Sequence, residues 1–401
     1  MKYKLYDFFQ KDGFGYIIPN GTVYITDCPK DLERLEIPSQ IDGVPVTALY
    51  QSALDYTINT LFIALPEGMV EIGEEAFAHS GVKEVSLPSS LKLIKKYAFK
   101  DCADLKKVDL PDHAAIQTPL FSGCRSLEEI NVTPSNDIFI STDGVLFTKE
   151  DIKLVTYPQG KTDLTYAIPN ETRAVFPAAF IDNCYLEAIT FPNKLYDVFA
   201  YAFSGCVNLK SVSLNEDIKN IGDFAFAQSG IKSIDIPRGA EMIGEYAFAN
   251  CVQLKKLNIL AEDAAIKEGA FANCISMENA AFFNPLKYIG RRAFMKCVSL
   301  RDIVFPAVSS LEVAEETFRG CSALREVSVS EGIESIADGA FADSGLKTIR
   351  LPSTLRKVGR AFSNCHNLET ILYNGSPDKW KEIVFETDES VLAHVNLVCS
   401  E

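Results

Sequence analysis

The sequence predicts a solenoid of about thirteen stacked coils, and three observations carry that prediction. The dipeptide Ala-Phe recurs at Ala76-Phe77, Ala98-Phe99, Ala179-Phe180, Ala202-Phe203, Ala225-Phe226, Ala247-Phe248, Ala270-Phe271, Ala293-Phe294, Ala340-Phe341 and Ala361-Phe362. Ala53-Leu54, Leu120-Phe121 and Thr317-Phe318 fill the same slot with one residue changed, and successive slots lie 21 to 24 residues apart except for one gap of 59 between Phe121 and Phe180. Around each slot the skeleton Ile-Gly-x-x-Ala-Phe-x-x-Cys-x-x-Leu-Lys-x-Ile-x-Leu-Pro returns, as residues 243–259 show. A fixed apolar skeleton at a period of about 20–29 residues marks a leucine-rich-repeat solenoid, whose units bury their hydrophobic faces only by stacking. The expected fold is a curved parallel β-sheet with hairpin caps and one hairpin insertion.

Residues 1–50 read as an N-terminal cap. Tyr16-Ile17-Ile18 and Val23-Tyr24-Ile25 flank Asn20-Gly21, a two-residue hairpin signal. Residues 51–132 form a first block of repeats. In each unit the segment Leu-x-x-Ile-x-Leu ends in period-2 alternation, which predicts a short strand with Ile and Leu inward. Residues 85–87, 108–110, 212–214, 234–236, 303–305 and 349–351 are such strands. A proline follows at Pro38, Pro66, Pro88, Pro111, Pro192, Pro237, Pro306 and Pro352, where it ends pairing and starts the second arm of the coil. Gly73, Gly222, Gly244, Gly290 and Gly359 follow the apolar residue of that arm, where either a positive φ or close backbone packing would require glycine. Shorter units replace Cys-x-x-Leu by Ser-Gly and one apolar residue, as in Ser229-Gly230-Ile231.

Residues 133–165 interrupt the period. Ile138-Phe139-Ile140, Val145-Leu146-Phe147 and Leu154-Val155-Thr156-Tyr157, with Asp143-Gly144 between the first two, predict a hairpin or three-stranded meander. Residues 166–372 resume the repeats, and residues 373–401 leave them. That C-terminal cap holds Trp380, expected to lie across the last coil.

Together these residues resemble the BspA-like leucine-rich-repeat family, found mainly on bacterial cell surfaces and in some protozoan parasites. The resemblance rests on the repeat unit, on the entry segment Ile41-Asp42-Gly43-Val44-Pro45-Val46-Thr47, on Ser141-Thr142-Asp143-Gly144-Val145-Leu146-Phe147 with Tyr157-Pro158-Gln159-Gly160-Lys161, and on Tyr373-Asn374-Gly375-Ser376 with Trp380. It implies adhesion or protein binding, brings no catalytic residues, and implies a cell-surface or secreted location. The chain itself shows no signal peptide, anchor or apolar run long enough to span a bilayer, so a cytoplasmic location is the alternative.

The chemistry of the remaining residues points the same way. A formal charge of −15 opposes non-specific nucleic-acid binding, which needs clustered basic surface. Eight of eleven cysteines (Cys102, Cys124, Cys206, Cys251, Cys274, Cys297, Cys321 and Cys365) share one repeat column, and Thr57, Ser80, Ser229 and Ser344 replace them in it. Side chains stacked in parallel lie ~4.8 Å apart, too far for a disulfide, and no paired Cys-x-x-Cys spacing exists for metal; these read as buried structural thiols. His79, His113, His366 and His394 are scattered without catalytic register, Gly13-Phe14-Gly15 is too short for a dinucleotide loop, and Glu74-Glu75 and Glu315-Glu316 read as solvated faces. No catalytic, cofactor or metal residues are assigned.

One column departs from the overall charge. Lys83, Lys106, Lys210, Lys232, Lys255, Arg301, Arg325 and Lys347 follow the Leu that opens each strand, interrupted by Glu128, Glu187, Glu278 and Glu369. They form either a binding line for an acidic partner or caps over apolar neighbours. The outward positions of the sheet are small and polar early (Ser86, Asp109, Asn131, Thr190, Ser213, Asp235, Asn258) and more apolar late (Ala281, Val304, Ser328, Arg350, Leu372), which points to a contact surface there. The expected function is non-enzymatic protein binding by a monomer through the sheet face, with host matrix or cell-surface protein as the partner class. The alternative is an intracellular scaffold or structural spacer.

Overall fold

The computed structural model describes residues 7–309, 312–386, 392 and 394–400. They fall into two compact units, residues 1–162 with 175–183, and residues 163–174 with 184–401.

The first unit opens with tight antiparallel turns. Phe9–Lys11 pairs with Phe14–Ile17 across Asp12-Gly13, and Phe14–Ile17 pairs with Val23–Asp27 across Asn20-Gly21. Asp12 and Gly13 both carry positive φ (50° and 83°), the backbone that matches the right-handed twist of the flanking strands. Gly13 therefore serves a hairpin, one that was legible as Asp-Gly. Val23–Asp27 then pairs parallel with Val44–Leu49, and the second-arm strands Glu71–Ile72, Leu93–Ile94 and Ala115–Ile116 stack on it in sequence. The sheet-face strands Arg34–Glu36, Phe62–Ala64 and Glu84–Ser86 run parallel, as do Lys107–Leu110 and Glu129–Val132.

Phe139–Thr142, Val145–Thr148 and Lys153–Thr156 form the antiparallel meander expected from the sequence, turning at Asp143 and Gly144, both at positive φ. It is packed into the unit: Val145, Leu146, Phe147, Leu154 and Val155 are buried. Tyr157, directly after its third strand, stacks on Phe180 with ring centroids 4.8 Å apart. Tyr157 thus occupies an aromatic slot inside the 59-residue gap.

In the second unit the sheet-face strands pair in register. Ser233–Ile236, Lys256–Ile259 and Asn279–Phe282 align Ile234 with Leu257 and Ala280, so inward residues form columns. Asp302–Phe305, Glu326–Val329, Thr348–Leu351, Thr370–Tyr373 and Asn396–Cys399 continue the same pattern. Trp380 lies on the short helix Pro377–Lys381, edge-on to Tyr373 at 5.2 Å and tilted against Phe385 at 5.1 Å. It is packed within the last turn, because Asn396–Cys399 adds a strand beyond Thr370–Tyr373.

The count of coils is corrected upward, from about thirteen to about 16 turns, each with one sheet-face strand. The three turns without a matching slot are those of Arg34–Glu36, Thr165–Ala167 and Asn396–Cys399. Ala-Phe spacing missed them because the first precedes the slots, the second follows Tyr157, and the last follows the final Ala-Phe.

An aromatic column runs from coil to coil beside the backbone ladder. In the second unit Phe203, Phe226, Phe248, Phe271, Phe294, Phe318, Phe341 and Phe362 stack face to face, with centroids from 5.0 to 5.8 Å apart and planes within 12°. Each ring is fully buried. Beside them the column cysteines donate to a carbonyl of the preceding turn: Cys251 Sγ to Phe226 O at 3.1 Å, Cys274 Sγ to Phe248 O at 3.2 Å, and Cys297 Sγ to Phe271 O at 3.3 Å. A small side chain with a donor is what the slot needs. In the short coils Ser229 Oγ fills it and lies 3.2 Å from Cys251 Sγ.

From Phe203 to Phe341 the residues two before and two after each aromatic of this column adopt left-handed backbone, as at Tyr201 and Gly205 around Phe203, and at Tyr246 and Asn250 around Phe248; at Phe362 only Asn364, two after it, does so. For a non-glycine residue this costs on the order of 1 kcal/mol or more. Backbone bonds offset it. Tyr201, Phe203 and Gly205 donate N–H to Asp223, Ala225 and Ala227 of the next turn, while Ala202, Ser204 and Cys206 close turns within their own. Gly73, Gly222, Gly244, Gly290 and Gly359 are not left-handed. Close packing is their reason: a Cβ on Gly222 would lie 2.6 Å from the Ala200 backbone N, and one on Gly244 would lie 2.6 Å from that of Asp223.

Candidate recognition surface

The parallel strands turn alternate side chains to solvent, two per coil, and the composition of these positions changes along the chain. In the first unit Ser86 and Asp109 are exposed, and Asn131 donates to Asp109 at 3.1 Å. In the second unit Thr190, Ser213 and Asp235 are exposed, and Asn258 donates to Asp235 at 2.6 Å. Such pairs satisfy polar groups from turn to turn. Further along, Ala280, Ala281, Phe282, Ile303 and Val304 line a shallow open groove of about 370 Å³, edged by Asp302, Glu326 and Ser328. Val304 is 67% exposed, well beyond what a buried-face strand residue would show. The apolar shift expected from the sequence is therefore present as a surface.

The basic column lies where each coil enters its strand, and backbone bonds keep it in register. Lys232 N donates to Lys210 O, Lys255 N to Lys232 O, Arg325 N to Arg301 O, and Lys347 N to Arg325 O. In the first unit Lys106 N donates to Lys83 O in the same way. The side chains differ in how they are engaged. Lys210 Nζ pairs with Glu187 at 2.7 Å, Lys347 with Glu369 at 3.7 Å, and Arg325 donates to the Gly345 carbonyl at 3.2 Å. Among the described residues, Lys83, Lys106, Lys232, Lys255 and Arg301 have no carboxylate within ion-pair distance.

A neighbouring column escaped the sequence reading, which treated it as a variable position. The residue after the column cysteine is an exposed β-branched aliphatic in four coils of the second unit: Val207, Val252, Ile275 and Val298.

The paired acidic residues are not simply solvated. Glu74 meets Lys96 at 3.2 Å, Glu75 meets Lys100 at 3.5 Å, and Glu315 meets Arg291 at 3.7 Å. Glu316 accepts from both Arg292 and Arg319, and Arg319 reaches on to Asp343 at 3.2 Å. The two guanidinium groups hold the Glu316 carboxyl below the usual carboxylate range. Apart from Glu316 with Arg319, these pairs join charges one coil apart, which the linear spacing did not reveal.

The histidines and cysteines show no convergent chemistry. His79 stacks on Tyr56 at 4.7 Å with Asp101 3.6 Å from its Nδ1, and His113 faces Asp137 at 3.0 Å. All eleven cysteines are unbridged, and the eight of the column are buried. Burial pushes the Cys251 thiol up to about 11 and the Cys321 thiol up to about 12, so both stay protonated and unreactive at neutral pH. Among the described residues no group of three or more His, Cys, Asp and Glu stands together as a metal site, and no helix is long and apolar enough to cross a membrane.

Comparison with known proteins places this geometry. The model of the BspA type leucine rich repeat region matches in six copies, over residues 47–171, 173–301, 242–369 and 287–398. No curated protein matches the sequence. Among solved structures, a leucine-rich repeat protein from Bacteroides ovatus is similar over 98% of this chain and 100% of its own, at 19% identity and a TM-score of 0.55. The pneumococcal vaccine antigen PcpA is similar over 100% of both chains at 17% identity and 0.51. A leucine rich cell surface protein from Faecalibacterium prausnitzii covers 95% of this chain and 98% of its own at 22% identity and 0.50. At such identities the likeness shows the fold, and none of these matches indicates a catalytic family.

Proposed function

This chain belongs to the BspA-type leucine-rich repeat family, and from that premise we propose that it is a non-enzymatic recognition protein that binds a protein partner through the solvent face of its sheets. The groove around Val304 carries the reading. An aliphatic side chain left 67% exposed, over a floor of Ala281 and Ile303, is surface that a soluble protein gains by covering. Two relatives named as a cell surface protein and a vaccine antigen favour an outward-facing role in adhesion, with host matrix or cell-surface protein as partner. The basic column, Lys83, Lys106, Lys210, Lys232, Lys255, Arg301, Arg325 and Lys347, is a second contact element in this reading.

The test is Val304→Glu, alone and with Ala281→Glu, compared with the parent protein in pull-downs from a host matrix preparation and a cell lysate. Both residues sit on the outward face, so melting should stay within a few degrees of the parent. Loss of matrix partners with unchanged melting supports sheet-face recognition. Retention of every matrix partner would place binding elsewhere, and partners drawn only from the lysate would favour a scaffold inside the cell.

A further inference from the structure

We propose that the exposed aliphatic column of the second unit and the basic column beside it form one docking strip for an acidic amphipathic segment of a partner protein. This deepens the recognition reading by assigning a second surface and the chemistry of what it takes.

Val207, Val252, Ile275 and Val298 are 50%, 47%, 43% and 38% exposed. A single exposed valine is ordinary. Four at the same place in stacked coils make a line, because neighbouring turns are about 4.8 Å apart. The short coil contributes Gly230 at this place, which leaves a notch between Val207 and Val252.

The geometry ties this line to the cations. Each aliphatic residue sits at the corner of a turn closed by Leu209 N to Cys206 O, Leu254 N to Cys251 O, Met277 N to Cys274 O, or Leu300 N to Cys297 O, all 3.0 to 3.1 Å. The residue leaving that turn is Lys210, Lys255, Glu278 or Arg301. The apolar line and the charged line, basic except at Glu278 beside Ile275, are therefore three residues apart across a single turn. Lys232, between the coils of Lys210 and Lys255, extends the basic line, and Lys232, Lys255 and Arg301 have no ion-pair partner among the described residues. In a chain with 54 acidic and 39 basic side chains, neighbouring cations left unpaired mark a place where carboxylates are supplied from outside.

Size narrows the occupant. Val207 to Val298 spans four coil steps, roughly 19 Å, which is the length of about 13 residues of α-helix. Apolar side chains along one helix face recur about every 5.4 Å, near the spacing of the coils, while carboxylates on the adjoining face would reach the lysines. An anionic bilayer fits less well. The aliphatic line is one side chain wide, and a chain of net charge −15 is repelled by such a surface.

The experiment uses the full chain and a fluorescein-labelled 14-residue peptide with Leu on one helical face and Glu on the adjoining one. Controls are a scrambled peptide of the same composition, an analogue with Lys for Glu, and phosphatidylserine/phosphatidylcholine vesicles. We expect the acidic amphipathic peptide to bind most tightly, with affinity falling as salt rises. Val252→Ser with Ile275→Ser, and separately Lys232→Gln with Lys255→Gln, should each weaken it about tenfold or more. Circular-dichroism melting checks that these exposed substitutions leave the fold intact. Equal binding of the scrambled peptide, tighter binding of the Lys analogue, or binding of vesicles in place of the peptide overturns the proposal. Unchanged peptide affinity in both double variants also overturns it, whatever Val304→Glu does to matrix capture, so the strip and the sheet face stand or fall separately.

Discussion

Replacing Phe248 by alanine tests whether the aromatic column is the energetic spine of the second unit. The ring is fully buried and stacks on Phe226 at 5.1 Å and Phe271 at 5.2 Å, both within 7° of parallel. Truncating a buried phenylalanine costs about 3–5 kcal/mol, because the neighbours relax only partly into the space. Two stacked neighbours each lose a contact worth about 0.5–1.5 kcal/mol beyond area, which places the effect at the upper end. Phe248→Leu keeps most of the volume and should cost about half as much. In a stack where each coil touches only its neighbours, the loss is local. Native-state hydrogen exchange reads it directly: about 5 kcal/mol corresponds to exchange faster by several thousand-fold. That acceleration should appear at the backbone amides of residues 224–228, 246–250 and 269–273, which bond from turn to turn, and leave the first unit unchanged. An acceleration under tenfold at these amides, or one spread evenly over the chain, would refute the spine.

The other predictions follow from named contacts. Native protein should react quickly with a thiol reagent at pH 8 through the exposed Cys184 and more slowly at the half-buried Cys399, whereas denatured protein should show all eleven thiols. Gly222→Ala should cost several kcal/mol because its Cβ would lie 2.6 Å from backbone, whereas Gly68→Ala, with nothing within 4 Å but a φ of 94°, should cost only about 1 kcal/mol of strain; urea midpoints compare them. The folded carboxyl of Glu316 titrates below its unfolded value of about 4.3, so its contribution is present above that pH and lost as pH falls through the folded value. Melting temperature should therefore drop less steeply below about pH 4 in Glu316→Gln than in the parent.

How far the sequence reached depended on what kind of constraint acted at each position. Phe226 or Phe248 could be read at once, because a large apolar ring in one slot recurs with the coil. Asp143-Gly144 was equally plain, since two adjacent positive-φ residues demand those residue types. Tyr157 was not legible: it reaches its slot at the end of an antiparallel meander, with Thr156 where alanine stands elsewhere. Nor could left-handed backbone be read at Tyr201, Phe224 or Arg292, where hydrogen bonds to the next turn override local preference. Of the surface, the basic column and the apolar drift toward Val304 were visible as residue types. Their engagement was not, because Lys210 with Glu187, or Arg292 with Glu316, are partners only after coils stack.

The turn-to-turn ladder gives the second unit a mechanical character. Under tension along the stack, an end coil can leave without disturbing any but its one neighbour, since the bonds from Tyr201, Phe203 and Gly205 all go to the adjacent turn. A coil of 23 residues, as between Phe203 and Phe226, would pay out about 80 Å of chain on release. A single-molecule extension trace would then be a sawtooth of nearly equal steps, each resisted by one stacked ring and its strand. Such a chain yields by lengthening, coil by coil, rather than by breaking its hold all at once.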